Sequence, residues 1–141
     1  MKEKLNFAQF VEKIWDKITI IYGKNVYKAF TDGRTKIFIN SYLKDKEERK
    51  FVILHELAHI YLNYLNDVVQ HQQPNLMKEN ESLCDILATL YLKRISNWSS
   101  EKIINCLTLL SPNYISHFRI QIIRNLLNKF ENAKDITNEI W

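Results

Sequence analysis

The chain has 141 residues, 46% of them hydrophobic and 26% charged, with a formal net charge of +4. That hydrophobic share suffices for a buried core over residues 1–141 as one domain and is too high for a disordered tail. No apolar run approaches the ~18 residues of a membrane span, and the N-terminus lacks a signal-peptide block. Two cysteines, Cys84 and Cys106, make no disulfide framework, so a reducing cytoplasm is expected.

Phe7, Phe10, Val11, Ile14, Ile18 and Ile21 recur at helical spacing and predict an amphipathic helix over 5–22, ended by Gly23. Two β-rich runs, 25–31 and 34–40, flank Asp32-Gly33 and predict a hairpin. Residues 44–49 read as a charged first turn leading into 51–65, whose apolar side chains point in every direction. A helix apolar all round is buried in the middle of its domain. Residues 66–80 are polar, contain Pro74 and read as a loop. Helical periodicity returns over 79–94, and Ser99 or Ser100 is placed to cap a helix reaching about 110. Ser111-Pro112 suits an N-cap with proline at the first helical position. The last helix then runs to about 133, with Ile115, Phe118, Ile122, Leu126 and Phe130 along one side. The expected class is α+β, mainly helical, with a small sheet between the first helix and the helix of 51–65.

Charge is uneven along this plan, since the first fifty residues hold 12 Lys+Arg against 7 Asp+Glu. Without an arginine-rich run or an aromatic-interleaved basic stripe, the excess reads as a solvated lysine surface. Nucleic acid is accordingly disfavoured as a partner.

Inside the apolar helix stands His55-Glu56-Leu57-Ala58-His59. Residues four apart share a helical face, so both imidazoles can reach one ion. Glu56 projects about 100° away, suited to contact a water on that ion rather than to ligate it. This is the H-E-x-x-H arrangement, in which two histidines bind zinc and the glutamate is the general base. Two histidines and a glutamate are costly to bury in an apolar helix without a partner, which weakens the reading of an incidental surface pattern.

A catalytic zinc takes three protein ligands and keeps one open position. The metzincin extension requires Gly at 62 and His at 65; Leu62 and Leu65 exclude it. Downstream, Glu81 and Asp85 lie four apart on the next helix, the spacing of the gluzincin class. Glu81 is the candidate third ligand, and Asp85 the candidate acceptor for the outer N–H of a ligand histidine, which fixes its tautomer. Glu79, His71 and Cys84 compete for the third position, although Cys84 reads first as a small buried hydrophobe.

Residues about 37–92 resemble the ImmA/IrrE family of zinc-dependent endopeptidases. The resemblance rests on the strand Ile37-Phe38-Ile39-Asn40, the helix start Glu47-Glu48-Arg49-Lys50-Phe51, the motif His55 to His59, and Glu81-Ser82-Leu83-Cys84-Asp85-Ile86-Leu87-Ala88. Cys84 stands where the family usually has Ala, Leu87 where it has Phe and Ala58 where it commonly has Gly. Leu92-Lys93-Arg94 lacks the Met-Pro pair that often follows. The resemblance implies a zincin-like fold and a metal-site core at about 37–92, while the further helices at about 99–133 are read from capping and periodicity. It also implies His55, His59 and Glu81 as ligands of Zn2+, Glu56 as base, and a repressor-type transcriptional regulator as protein substrate. The expected reaction is peptide-bond hydrolysis by Glu56-assisted attack of zinc-bound water, with an extended substrate pairing along the strand at 35–40. The alternative is a non-catalytic module of the same fold that docks to a regulatory partner protein.

Overall fold

A reciprocal cap starts the first helix: the Asn6 side chain accepts from the Gln9 N–H, and the Gln9 side chain accepts from the Asn6 N–H. The computed structural model describes residues 4–26, 28–68 and 81–132. Helix α1 (Phe7–Ile14) buries Phe7, Phe10 and Val11 and closes in a 3-10 turn, Trp15–Lys17. The helix expected over 5–22 therefore stops at Ile14, and strand β1 (Thr19–Gly23) takes its second half. Ile18, Thr19, Ile20 and Ile21 are β-branched, and such residues prefer the pleated surface when a partner strand is present. The partner is β3 (Lys36–Asn40), which pairs with β1 in parallel from Thr19↔Lys36 to Gly23↔Asn40.

The hairpin forms where Asp32-Gly33 placed it. Strand β2 (Ala29–Thr31) runs antiparallel to β3. Gly33 turns the chain with φ +81°, and the Asp32 carboxylate accepts the N–H groups of Arg34, Thr35 and Lys36. The sheet order is β1-β3-β2, so the strand at 35–40 is paired on both sides. It has no edge to offer a substrate, and among the described residues the open edges belong to β1 and β2. Ile37 and Ile39 are fully buried, while Phe38 stacks on Phe30 across the other face, centroids 4.6 Å apart.

Helix α2 (Lys46–Val68) starts where the Asp45 side chain accepts the N–H groups of Glu47 and Glu48. It absorbs the charged first turn and extends through Val68, three residues into the expected loop. The rest of that loop, 69–80 with Pro74, lies outside the described residues. An aromatic cluster fixes α1 to α2, with Phe7–Tyr61 and Phe10–Tyr64 centroids at 5.4 and 4.9 Å. The Tyr61 hydroxyl donates to the Leu5 carbonyl, and the Leu5 N–H donates to the Tyr64 hydroxyl.

Helices α3 (Glu81–Arg94), α4 (Ser100–Leu110) and α5 (His117–Asn132) follow. Ser99 caps α4 by accepting the Lys102 N–H. Ser111-Pro112 does not start the last helix. The chain continues through a turn in which the Tyr114 N–H bonds to Leu110, and Ser116 accepts the Arg119 N–H at the head of α5. The buried stripe of α5 is Ile120, Ile123 and Leu127, whereas Phe118 is 74% exposed. The sequence carries two adjacent apolar stripes there, and packing against α3 and α4 selects the second. The side chain of Phe130 lies outside the description. Among the described residues no helix is long and apolar enough to cross a membrane.

Candidate metal centre

Because α2 is apolar all round, its middle is buried together with the polar groups it carries. His55 is 6% exposed and Glu56 7%. Helix α3 packs along α2, and Ala58, Cys84 and Ala88 keep the fully buried side chains small. The carboxylate of Glu81 consequently spans both imidazoles: Oε1 lies 2.7 Å from Nε2 of His59, and Oε2 lies 3.2 Å from Nε2 of His55. The other ring nitrogen of His55, Nδ1, lies 2.8 Å from Oδ1 of Asp85, a residue only 1% exposed. The structure thus brings His55, His59, Glu81 and Asp85 into one cluster, with Glu56 on the adjacent face of α2.

Charge follows geometry. Burial alone would lower the pKa of His55, but hydrogen bonds to Asp85 and Glu81 outweigh it and raise the value to about 9. The same bonds, from His55 and His59, hold the Glu81 carboxyl well below the usual carboxylate range. Burial raises the Glu56 carboxyl, against the opposing pull of both histidines. Burial also pushes the Cys84 thiol up, helped by the nearby charges of Glu81, Glu56 and Asp85.

The donor chemistry suits a transition metal: two imidazole nitrogens face one carboxylate, and a second carboxylate fixes the outer nitrogen of His55. Cys84 offers a rival third donor, its sulfur and one nitrogen of each histidine lying within 4.8 Å of one another. Glu79 and His71 lie outside the described residues. A groove of about 1020 Å³ between α1, the first turns of α2 and the end of α3 is lined by none of the cluster residues.

One member of the cluster was not anticipated. Arg119 on α5 places Nε 2.7 Å from Oδ2 of Asp85 and Nη2 2.6 Å from Oδ1, with Nη1 3.7 Å from Oε2 of Glu81. In sequence it stands with Arg124 and Lys129 as a basic residue of a helix whose many apolar positions favour packing over nucleic-acid recognition. The one available signal was indirect: a buried Asp85 calls for a cation, and the sequence does not say which.

Residues 22–89 match the sequence model of Peptidase_M78, described as the IrrE N-terminal-like domain. Comparison with curated proteins and with solved structures returned no match. The matched segment runs from the end of β1 into α3 and takes in His55, Glu56, His59, Glu81 and Asp85, but ends before Arg119. Over residues 22–89, just under half of the chain, the protein is similar to the Peptidase_M78 family of IrrE N-terminal-like domains.

Proposed function

We propose that this protein is a zinc-dependent endopeptidase that hydrolyses a peptide bond in a protein substrate, a repressor-type transcriptional regulator. The observation that carries this reading is the convergence of both Nε2 atoms, from His55 and His59, on the single carboxylate of Glu81. His55, His59 and Glu81 would hold the zinc. Asp85, accepting from Nδ1–H of His55, keeps the lone pair of Nε2 for the metal. Glu81 is favoured over Cys84 because it faces both imidazoles and is readily ionised. The thiolate of Cys84, the form that ligates, is opposed by burial and by the surrounding carboxylates.

Held there, zinc would supply Lewis acidity, acidifying water toward a pKa of ~7 and polarising a carbonyl. Glu56 takes the proton of the attacking water and passes it to the leaving amine. Its burial, which raises the carboxyl, helps it hold that proton between the two transfers. An extended substrate has β2 as an edge to pair with. The bonded pairs Lys28–Asn40 and Asp32–Lys36 leave Ala29 and Thr31 turned toward the open side. The regulator as substrate rests on the family resemblance, and the cytoplasmic setting on two free thiols, Cys84 and Cys106.

Glu56→Gln tests the assignment. The variant is expected to fold, keep zinc and lose cleavage of a co-expressed repressor by roughly 10²-fold or more. Full cleavage by the variant would refute the role of Glu56. Wild-type protein that keeps zinc but cleaves no partner would favour the non-catalytic docking module.

A further inference from the structure

We propose that Arg119 is a positioning residue of the metal centre: acting through Asp85, it fixes the orientation of His55, so that α5 completes a site the family-matched segment leaves unfinished. The inference rests on the zinc reading above and adds a residue to it.

Asp85 is almost wholly buried, and a carboxylate in that position needs its charge answered. Arg119 answers it with a two-bond fork, Nε to Oδ2 and Nη2 to Oδ1, at 2.7 and 2.6 Å. Two parallel bonds fix the plane of the carboxylate as well as its charge. Oδ1 is also the atom that meets Nδ1 of His55. A carboxylate held in one plane presents Oδ1 in one direction, and the imidazole that bonds to it is held with Nε2 toward Glu81. The remaining arm of the guanidinium, Nη1, flanks Glu81 itself, so one side chain borders both carboxylates that touch His55.

The backbone of Arg119 is equally constrained. Its N–H is accepted by the Ser116 side chain in the first turn of α5, and Ile115 and Ile120 on either side are buried. The arginine side chain is 20% exposed, so the fork is largely shielded from water. Lysine could supply a charge at this place but not the planar fork.

The test uses the full chain with Arg119→Lys and Arg119→Ala beside wild type, and Arg124→Lys, an exposed site on the same helix, as control. Circular dichroism checks folding, competition with a chromophoric chelator measures zinc affinity, and long-range ¹⁵N–¹H spectra of the metal-free protein report the His55 ring nitrogens. Arg119→Lys is expected to stay folded, bind zinc about 10- to 100-fold more weakly and shift the His55 signals. Arg124→Lys should change neither. In wild-type protein the Arg119 Nε–H resonance is expected to move when zinc is added, a readout that survives if both Arg119 variants fail to fold. A folded Arg119→Lys with unchanged zinc affinity and unchanged His55 signals would reduce Arg119 to a strut between helices. So would an Arg119 resonance indifferent to zinc. Wild-type protein that takes up no zinc would defeat the zinc reading itself, a distinct outcome.

Discussion

Metal-free protein is expected to lose stability as pH rises from 6 to 9, chiefly through His55. Its folded-state pKa, about 9, lies above the ordinary 6.5 because Asp85 and Glu81 bond to the ring and outweigh its burial. A group raised on folding contributes stability that is fully present below 6.5 and is lost as pH passes through 9. At 1.36 kcal/mol per pH unit the contribution is about 3 kcal/mol. For a chain of this size that corresponds to roughly 10 °C in Tm. The acid limit comes from Glu81, whose lowered pKa gives stability that is present above its ordinary 4.5 and lost as pH falls through the folded value. Urea unfolding of metal-stripped protein at pH 6.0 and 9.5, wild type against His55→Gln, isolates the effect. The stability gap between the two proteins should be wide at pH 6.0 and largely close at pH 9.5. Zinc should reverse the trend, because a metal on Nε2 replaces a proton and gains affinity as pH rises. A gap between wild type and variant that does not change with pH would refute the reasoning.

Other perturbations reach the scaffold and the base. Gly33→Ala would place a Cβ 2.4 Å from Nδ2 of Asn63 at φ +81°, disturbing the bond that Asn63 donates to the Gly33 carbonyl at 3.1 Å. Left-handed strain and one lost hydrogen bond together predict a loss of roughly 2–3 kcal/mol in urea unfolding; a loss below about 0.5 kcal/mol would contradict the geometry. Glu56→Gln, whatever it does to cleavage, should leave metal-free stability at pH 7.5 unchanged or higher, because burial opposes the charge of this carboxylate. A loss of more than about 1 kcal/mol, measured the same way, would show that the ionised group is needed for folding.

Local periodicity made much of the candidate site's geometry legible. His55 and His59 share a face because they are four apart on a helix whose burial is written in its apolar surround, and Glu81 with Asp85 repeats that spacing on α3. Asp32-Gly33 likewise marked the hairpin, through a turn only a few residues long. What could not be read depends on distant parts of the chain. Ile18 and Ile21 fit the helical spacing of Phe7 and Ile14, yet they sit beside β3, a strand reached only after the chain has turned back on itself. In α5, Phe118 and Ile122 offered one face and Ile120 with Ile123 another, and the contacts with α3 and α4 decided between them. Arg119 is the same case at the centre of the site: it meets Asp85 from 34 residues away, and no local pattern marks it.

Metal content, measured by plasma mass spectrometry on untagged wild type, Glu81→Ala and Cys84→Ser, tests the proposed zinc site most directly. About one zinc per chain is expected in wild type and in Cys84→Ser, and none in Glu81→Ala. Folded wild-type protein that takes up no zinc when zinc is supplied would contradict the zinc site. Zinc lost from Cys84→Ser but kept by Glu81→Ala would contradict the assigned third ligand.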